Sequence, residues 1–286
     1  MKIGVMVESF RAGLDAGLQA AAKMGADGVQ IFATTGEVQP QKLDARGRAA
    51  LARRLGDMGL ELAALCGDFG GHGFARADDN PRRVDDSKRV MDLSLDLGCR
   101  AVTTHIGVIP SDRSHPRYGV MARACEALGR YGESVGAAFA IETGPEPAAV
   151  LRALLDDIGC PAGLGTNFDP ANLAMVIGED IPAAVDALGP TIVHTHAKDG
   201  VQLKPVDPEL LYNAFADGGI EGFHATDYIR EVPLGEGAVG FPEYLAALRR
   251  AGYDGYLTIE REVGDQPHRD IEAAVKFLRE LLPAEG

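Results

Sequence analysis

Two rhythms of apolar and polar positions take turns along this chain. Short apolar runs rich in β-branched residues give way to longer stretches in which apolar positions recur at the helical period, and a glycine stands between each helical stretch and the next run. The glycines are Gly25, Gly59, Gly98, Gly136, Gly159, Gly189 and Gly252, each where a helix favours a left-handed cap. The runs that follow them are Gly28–Phe32, Leu60–Leu65, Ala101–His105, Ala138–Glu142, Gly163–Asp169, Ile192–His196 and Gly255–Glu260; Lys2–Val7 at the start makes eight. The final helical stretch is the clearest, with Ile271, Ala274, Val275, Leu278, Leu281 and Leu282 on one face.

Eight strands alternating with eight helices imply parallel pairing through right-handed crossovers, and the economical closed arrangement is a (β/α)8 barrel. A doubly wound open sheet is the alternative. The expected organisation is one barrel domain over residues 1–286. Two connections exceed the usual length: Gly67–Asn80 after the third strand, and a stretch from Gly200 to about Leu234 after the seventh. Both follow the C-terminal end of a strand, on the face where barrels carry their chemistry, so the second reads as a lid, a subunit contact or a disordered excursion.

Composition narrows the function classes. No apolar run approaches the length of a membrane helix, so no membrane span is expected. The N-terminus enters a strand directly, without the apolar stretch and cleavage site of a secretory signal, which reads as cytoplasmic. Cys66, Cys99, Cys125 and Cys160 match neither a zinc motif nor a disulfide framework, and read as reduced thiols. A formal net charge of −14 repels polyanions, so no nucleic-acid or anionic-membrane partner is expected. A small, weakly charged molecule fits better. Whether the chain forms a dimer or tetramer is left open.

The candidate chemistry lies at strand ends. His196 ends Thr191-Ile-Val-His-Thr-His196, Asp169 stands 27 residues before it, Glu142 another 27 before that, and Glu260 64 residues after. In a barrel such tips converge on one mouth. Three carboxylates and one imidazole can bind a divalent cation, and this oxygen-rich, thiolate-free set favours Mn²⁺ or Mg²⁺, with Co²⁺ or Zn²⁺ able to take the place. Around that centre, His105, His194, Lys198, Glu8 and Asn172 are candidates for contacts to substrate, each weighed against a structural role as a capped strand end, core imidazole or salt bridge. Asp68 and His72 read as polar loop groups.

Ile141-Glu-Thr-Gly144, Asn167-Phe-Asp-Pro-Ala-Asn172, His194-Thr-His-Ala-Lys-Asp199, Pro233-Leu-Gly-Glu-Gly237 and Leu257-Thr-Ile-Glu-Arg-Glu262 together resemble the xylose isomerase-like barrel superfamily, and within it the sugar phosphate isomerase/epimerase branch. The resemblance covers essentially the whole chain. It implies a metal bound by Glu142, Asp169, His196 and Glu260, with Glu142 and Glu260 as an acid/base pair flanking the reacting carbons of a keto sugar, sugar phosphate or inositol-like polyol. The physical logic agrees, because a cation that polarises a carbonyl and holds the enediolate makes the neighbouring proton removable by a placed carboxylate. Isomerase and epimerase stay open, and a lyase or dehydratase acting on a keto sugar or 3-keto-glycoside would use the same groups. Ketose 3-epimerases usually carry a histidine at Asn172, an arginine at Gln202 and a glutamate at Ala148, so these departures, with Glu146 nearby, point away from a free-ketohexose 3-epimerase. An apurinic-site endonuclease of the superfamily would need a histidine at Asn172 and would face the charge of −14. A barrel that binds without catalysis would have to keep two glutamates together with no use for them.

Overall fold

The computed structural model describes residues 1–282. The strands in chain order are β1 (Lys2–Met6), β2 (Gly28–Phe32), β3 (Glu61–Cys66), β4 (Ala101–Thr104), β5 (Ala138–Glu142), β6 (Leu164–Phe168), β7 (Ile192–Ala197), β8 (Asp199–Gln202), β9 (Ile229–Val232) and β10 (Tyr256–Ile259). The helices are α1 (Leu14–Lys23), α2 (Ala45–Asp57), α3 (Asn80–Asp96), α4 (Pro116–Val135), α5 (Ala148–Ile158), α6 (Pro170–Val176), α7 (Ile181–Leu188), α8 (Pro208–Ala216), α9 (Phe241–Arg250) and α10 (Pro267–Leu281). Eight strands close a parallel barrel in the order β1-β10-β7-β6-β5-β4-β3-β2. All seven punctuating glycines have positive φ, from 35° at Gly189 to 86° at Gly136. The chain can therefore reverse from helix to strand where a side chain would be strained.

The helices outnumber the eight read from periodicity for two reasons. The stretch after β6 breaks into α6 and α7, because Gly178 takes a φ of 65° and Asp180 starts a new helix by accepting from the Ala183 amide at 2.8 Å. The stretch after β7 is an ordered excursion: β8 and β9 pair antiparallel, and α8 lies between them. Regular structure is also missing after two strands where the sequence suggested short links, at residues 33–44 and 105–115, so more of the barrel's C-terminal face is built from loops than expected.

The excursion is fastened at both ends. The Asp199 carboxylate accepts from the amides of Gly235, Gly237 and Val239 at 2.9, 3.1 and 3.2 Å, stitching the exit of the excursion to its entry. The α8 helix is tied across the mouth to the β3 loop by Tyr212 Oη donating to the Gly71 carbonyl at 3.1 Å and by His72 against Asp217 at 2.9 Å. Arg117 of α4 donates to both Glu209 oxygens at 2.6 and 3.0 Å.

The core between strands and helices is apolar, but the barrel interior near its C-terminal end is polar. Gln30, Thr103, Asn167, His194, His196 and Thr258 are all buried there. The four cysteines are free thiols, Cys66, Cys99 and Cys125 buried and Cys160 exposed. Among the described residues no helix is long and apolar enough to cross a membrane.

One close approach fixes how α4 sits on the sheet. A methyl group at Gly163 would lie 2.1 Å from the Glu133 amide nitrogen and 2.3 Å from the Gly129 carbonyl oxygen, so backbone packs on backbone there. Gly163→Ala is expected to destabilise the fold by about 1–3 kcal/mol, the cost of forcing an extra group into a filled contact, read as a lower urea midpoint at unchanged slope.

Candidate active site

Glu142 ends β5, Asp169 follows β6, His196 lies near the end of β7 and Glu260 follows β10. These strands are consecutive around the barrel, which brings one ligand atom from each of the four residues within 4.8 Å of the others. His196 Nδ1 lies 3.3 Å from Glu260 Oε2, 3.5 Å from Asp169 Oδ2 and 3.7 Å from Glu142 Oε1. All four side chains are buried.

Local structure aims each of them. Asp169 caps α6 with Oδ1, which accepts from the Ala171 and Asn172 amides at 2.8 and 3.1 Å, and this leaves Oδ2 pointing into the cluster. Glu142 is steered by the Asn167 and Asn172 amides, which donate to its two oxygens at 3.0 and 3.2 Å. Glu260 Oε2 accepts from Lys198 Nζ at 3.1 Å. His196 turns Nε2 toward Gln30 Oε1, 3.1 Å away across the barrel. Because an amide oxygen only accepts, this contact keeps a proton on Nε2 and makes Nδ1 the nitrogen that faces the carboxylates, the one that would give up its proton to a cation.

The donor set fits a divalent cation. Asp169 Oδ2 and His196 Nδ1 are buried with no hydrogen-bond partner, although buried polar atoms almost always have one. Both face the cluster. Burial works against a charge on His196, yet the carboxylates of Glu260 and Glu142 outweigh it and raise its pKa well above the ordinary value. The same negative potential acts twice over on a doubly charged ion. Three carboxylate oxygens and an imidazole suit Mn²⁺, Mg²⁺, Co²⁺ or Zn²⁺, and the geometry does not select among them.

A cavity of about 320 Å³ opens from the cluster to the mouth. Glu142, Glu260, His105, Lys198 and Asn172 line it, as does Asp68, read from the sequence as a polar loop group with ligand contact as the alternative. His105 stands between Asp68 and Glu142, 3.2 Å from one and 3.4 Å from the other. Its burial favours the neutral ring, but Glu142 and Asp68 win and push its pKa up to about 10. Lys198 reaches Glu260 and also makes a short contact with Glu262, and Arg261 points the other way, onto Glu231 and Asp270.

Two candidates are corrected. His194 does not line the cavity: it is buried one layer down, with Nε2 at 3.1 Å from Gln30 Oε1 and 3.0 Å from Thr258 Oγ1, and burial holds its pKa well below the usual value. Residues two apart on a strand share a side but differ in depth by about 6–7 Å. Glu8 lies on a 3₁₀ turn, Val7–Phe10, that bends its carboxylate toward the Phe32 amide at 3.1 Å and into a separate depression beside Arg11 and Glu37. Glu146 is buried outside the cavity lining, where it accepts from the Ile109 amide at 3.3 Å and burial pushes it up to about 7. Among residues not singled out beforehand, Gln30 and Asn167 matter most. Gln30 sits mid-strand in β2 and reaches the cluster only across the closed barrel, whereas Asn167 is the register partner of Glu142 on the neighbouring strand.

A closed eight-stranded barrel with an acidic cluster able to hold a divalent cation at its C-terminal mouth is a recognisable class of protein. The chain belongs to the xylose isomerase-like TIM barrel family, whose model matches residues 18–281. Among solved structures, a xylose isomerase domain protein from Planctomyces limnophilus superposes with a TM-score of 0.78 at 27% identity, covering 98% of this chain and 96% of that one. A probable 3-DHS dehydratase involved in petrobactin synthesis from Bacillus anthracis gives 0.74 at 20% identity, with 98% and 99% covered. A D-tagatose 3-epimerase-like protein gives 0.72 at 20% identity, with 98% and 97% covered. The last two likenesses are of fold alone. No curated protein matches the sequence.

Gln30→Leu removes the acceptor that sets the His196 tautomer and is expected to weaken divalent-metal affinity by about 10–100-fold, the usual loss when such a partner is deleted. Gln30→Glu, which still accepts, is expected to retain most of it. Calorimetric titration of the metal-free protein checks both; equal affinity in the leucine variant and the wild type would contradict the tautomer argument.

Proposed function

We propose that the protein is a divalent-metal-dependent isomerase or epimerase that moves a proton at a carbon next to the carbonyl of a keto sugar or inositol-like polyol. One observation carries the reading: Glu142 and Glu260 reach the cluster from β5 and β10, on either side of β6 and β7, and both line the cavity. Burial raises the Glu142 pKa and the neighbouring carboxylates of Glu260 and Asp169 add to that, with His105 and His196 opposing. Burial also works against ionised Glu260, but Lys198 and His196 outweigh it and hold its pKa well below the usual range. Two carboxyl groups that face one pocket from different strands can supply it with a base and an acid.

Glu142, Asp169, His196 and Glu260 would hold the cation, which when bound supplies Lewis-acid polarisation of the substrate's carbonyl. The chain's own groups do the rest. Glu260, ionised beside Lys198, takes the proton from the carbon. Glu142 returns a proton from the other side, which inverts the centre. Return by Glu260 to the adjacent carbon would isomerise instead. His105 and Asn172 line the same space and steady Glu142 there, and residues of α8 line it from above. The sugar epimerases among the fold's solved members support the substrate class, and the dehydratase supports keeping elimination in view as an outcome.

The test is incorporation of deuterium from D₂O into a panel of ketoses, inososes and 3-keto-glycosides, followed by mass spectrometry, with chelator-treated enzyme before and after Mn²⁺ is added. Exchange is expected only with metal, and an unsaturated product would identify a lyase. Glu142→Gln and Glu260→Gln are each expected to lower exchange by about 10²–10⁴-fold at saturating metal. A variant that keeps exchange within tenfold of wild type would overturn the acid/base assignment.

A further inference from the structure

The cavity bears on the substrate class in a way the cluster does not, and the reasoning rests on the proton-transfer reading above. In barrels a phosphate is commonly held by the loops after the seventh and eighth strands, through backbone amides at a short helix or turn. Here those strands are β7 and β10, and this chain's own carboxylates already take the amides of both loops. Asp199 accepts from Gly235, Gly237 and Val239. Glu231 accepts from Glu262 and Val263 at 3.1 and 3.4 Å. The start of α6 is likewise closed by Asp169, and the Ala148 amide at the start of α5 donates to Glu179 at 3.0 Å.

The side chains agree with the amides. Among the described residues no arginine lines the cavity, and the two lining groups able to carry positive charge each lie between two carboxylates: Lys198 between Glu260 and Glu262, His105 between Asp68 and Glu142. Arg230 and Lys204 of the excursion stand outside the lining, Lys204 over the Tyr228 ring. A phosphate dianion entering this space would meet the carboxylates of Asp68, Glu142, Glu260 and Glu262, and the lining cations are already paired with them, so beyond the one ion the cluster would hold, no unpaired positive charge is left to receive it.

Another part of the lining has a different character. Met175 and Val176 of α6, Leu211 and Phe215 of α8 and Ile229 of β9 form an apolar surface continuous with the cavity. Leu211 is buried, but the Phe215 ring is 64% exposed at the rim. An aromatic ring left open beside a ligand cavity gains by being covered. The wall faces the same space as the carboxylates, so one ligand touching both must be polar at one end and apolar at the other.

We propose that the substrate is an uncharged, phosphate-free keto sugar or keto polyol bearing an apolar substituent, whose carbonyl end meets Glu142 and Glu260 and whose substituent lies on the α8 wall against Phe215. The α8 helix is then a specificity element, and the fastenings Tyr212–Gly71, His72–Asp217 and Arg117–Glu209 hold it at the required height over the mouth.

Two matched substrate sets test this with Mn²⁺-loaded enzyme in the deuterium-exchange assay: fructose, 6-deoxyfructose and fructose 6-phosphate, and the 3-keto forms of methyl glucoside, phenyl glucoside and methyl glucoside 6-phosphate. Within whichever scaffold exchanges, the apolar member is expected to exceed its parent in kcat/KM by about tenfold, the scale of burying one apolar group. The phosphate is expected to fall below its parent by at least about as much. Phe215→Ala is expected to collapse the apolar-to-parent ratio, chiefly through KM; being a ratio within one variant, it is insensitive to loss of folded protein. A phosphate that outperforms its parent overturns this inference and leaves the proton-transfer reading intact. So does an apolar preference unchanged in the Phe215 variant, and so does a variant whose only change is a lost oligomer on a sizing column, which would make the ring a subunit contact. No exchange from any member overturns the proton-transfer reading and this inference with it.

Discussion

Three carboxylates cannot be buried within a few ångströms of one another without something positive between them, and the rest of this structure follows from that constraint. Desolvation and mutual repulsion both work against Glu142, Asp169 and Glu260 in one dry pocket. The barrel answers with donors from every side: Asn167 and Asn172 on Glu142, the first amides of α6 on Asp169, Lys198 on Glu260. Glu142 accepts at both oxygens and Glu260 at the oxygen nearest His196, whereas Asp169 keeps Oδ2 free of any donor. The inner oxygens and His196 Nδ1 still face one another, and the two orphaned atoms, Asp169 Oδ2 and His196 Nδ1, mark where a cation would complete the arrangement.

The surroundings extend the same logic. Lys198 serves Glu260 and Glu262, with Glu231 at 3.8 Å, and Arg261 serves Glu231 and Asp270, so a chain of alternating charge runs from the cluster out to the excursion hairpin and α10. The excursion is therefore bound to the site electrostatically through Glu231 as well as through the Asp199 stitch. It also brings α8 over the mouth, so the helix that shapes the cavity's apolar wall and two members of the network around Glu260, Lys198 and Glu231, belong to one segment, between β7 and β10.

Much of this was legible in the sequence. The alternation of periods and the glycine caps gave the barrel, and the first acidic or imidazole group after each of four late strands gave the cluster, because strand ends converge in a closed barrel whatever lies between them. What the sequence hid depends on closure or depth. Gln30 stands 166 residues from His196 and meets it only because β2 closes across the interior, and nothing in Gly28-Val-Gln-Ile-Phe32 marks it as more than a strand residue. His194 shares a side with His196, so alternation could not reveal that it sits a layer deeper. Glu8 was misplaced by a local turn. The α8 helix left a signal that went unread: Asp207-Pro208-Glu209 is a helix start, and Asp207 does accept from the Glu209 amide at 2.9 Å.

The central claim is that the cluster is a metal centre. It is tested most directly by titrating chelator-treated protein with Mn²⁺ and counting bound ions by electron paramagnetic resonance, in the wild type and in His196→Ala. The account expects one tightly held ion per chain in the wild type and none in the variant, with both proteins folded by circular dichroism. Equal occupancy in the two proteins, or no tight ion in either, would contradict it.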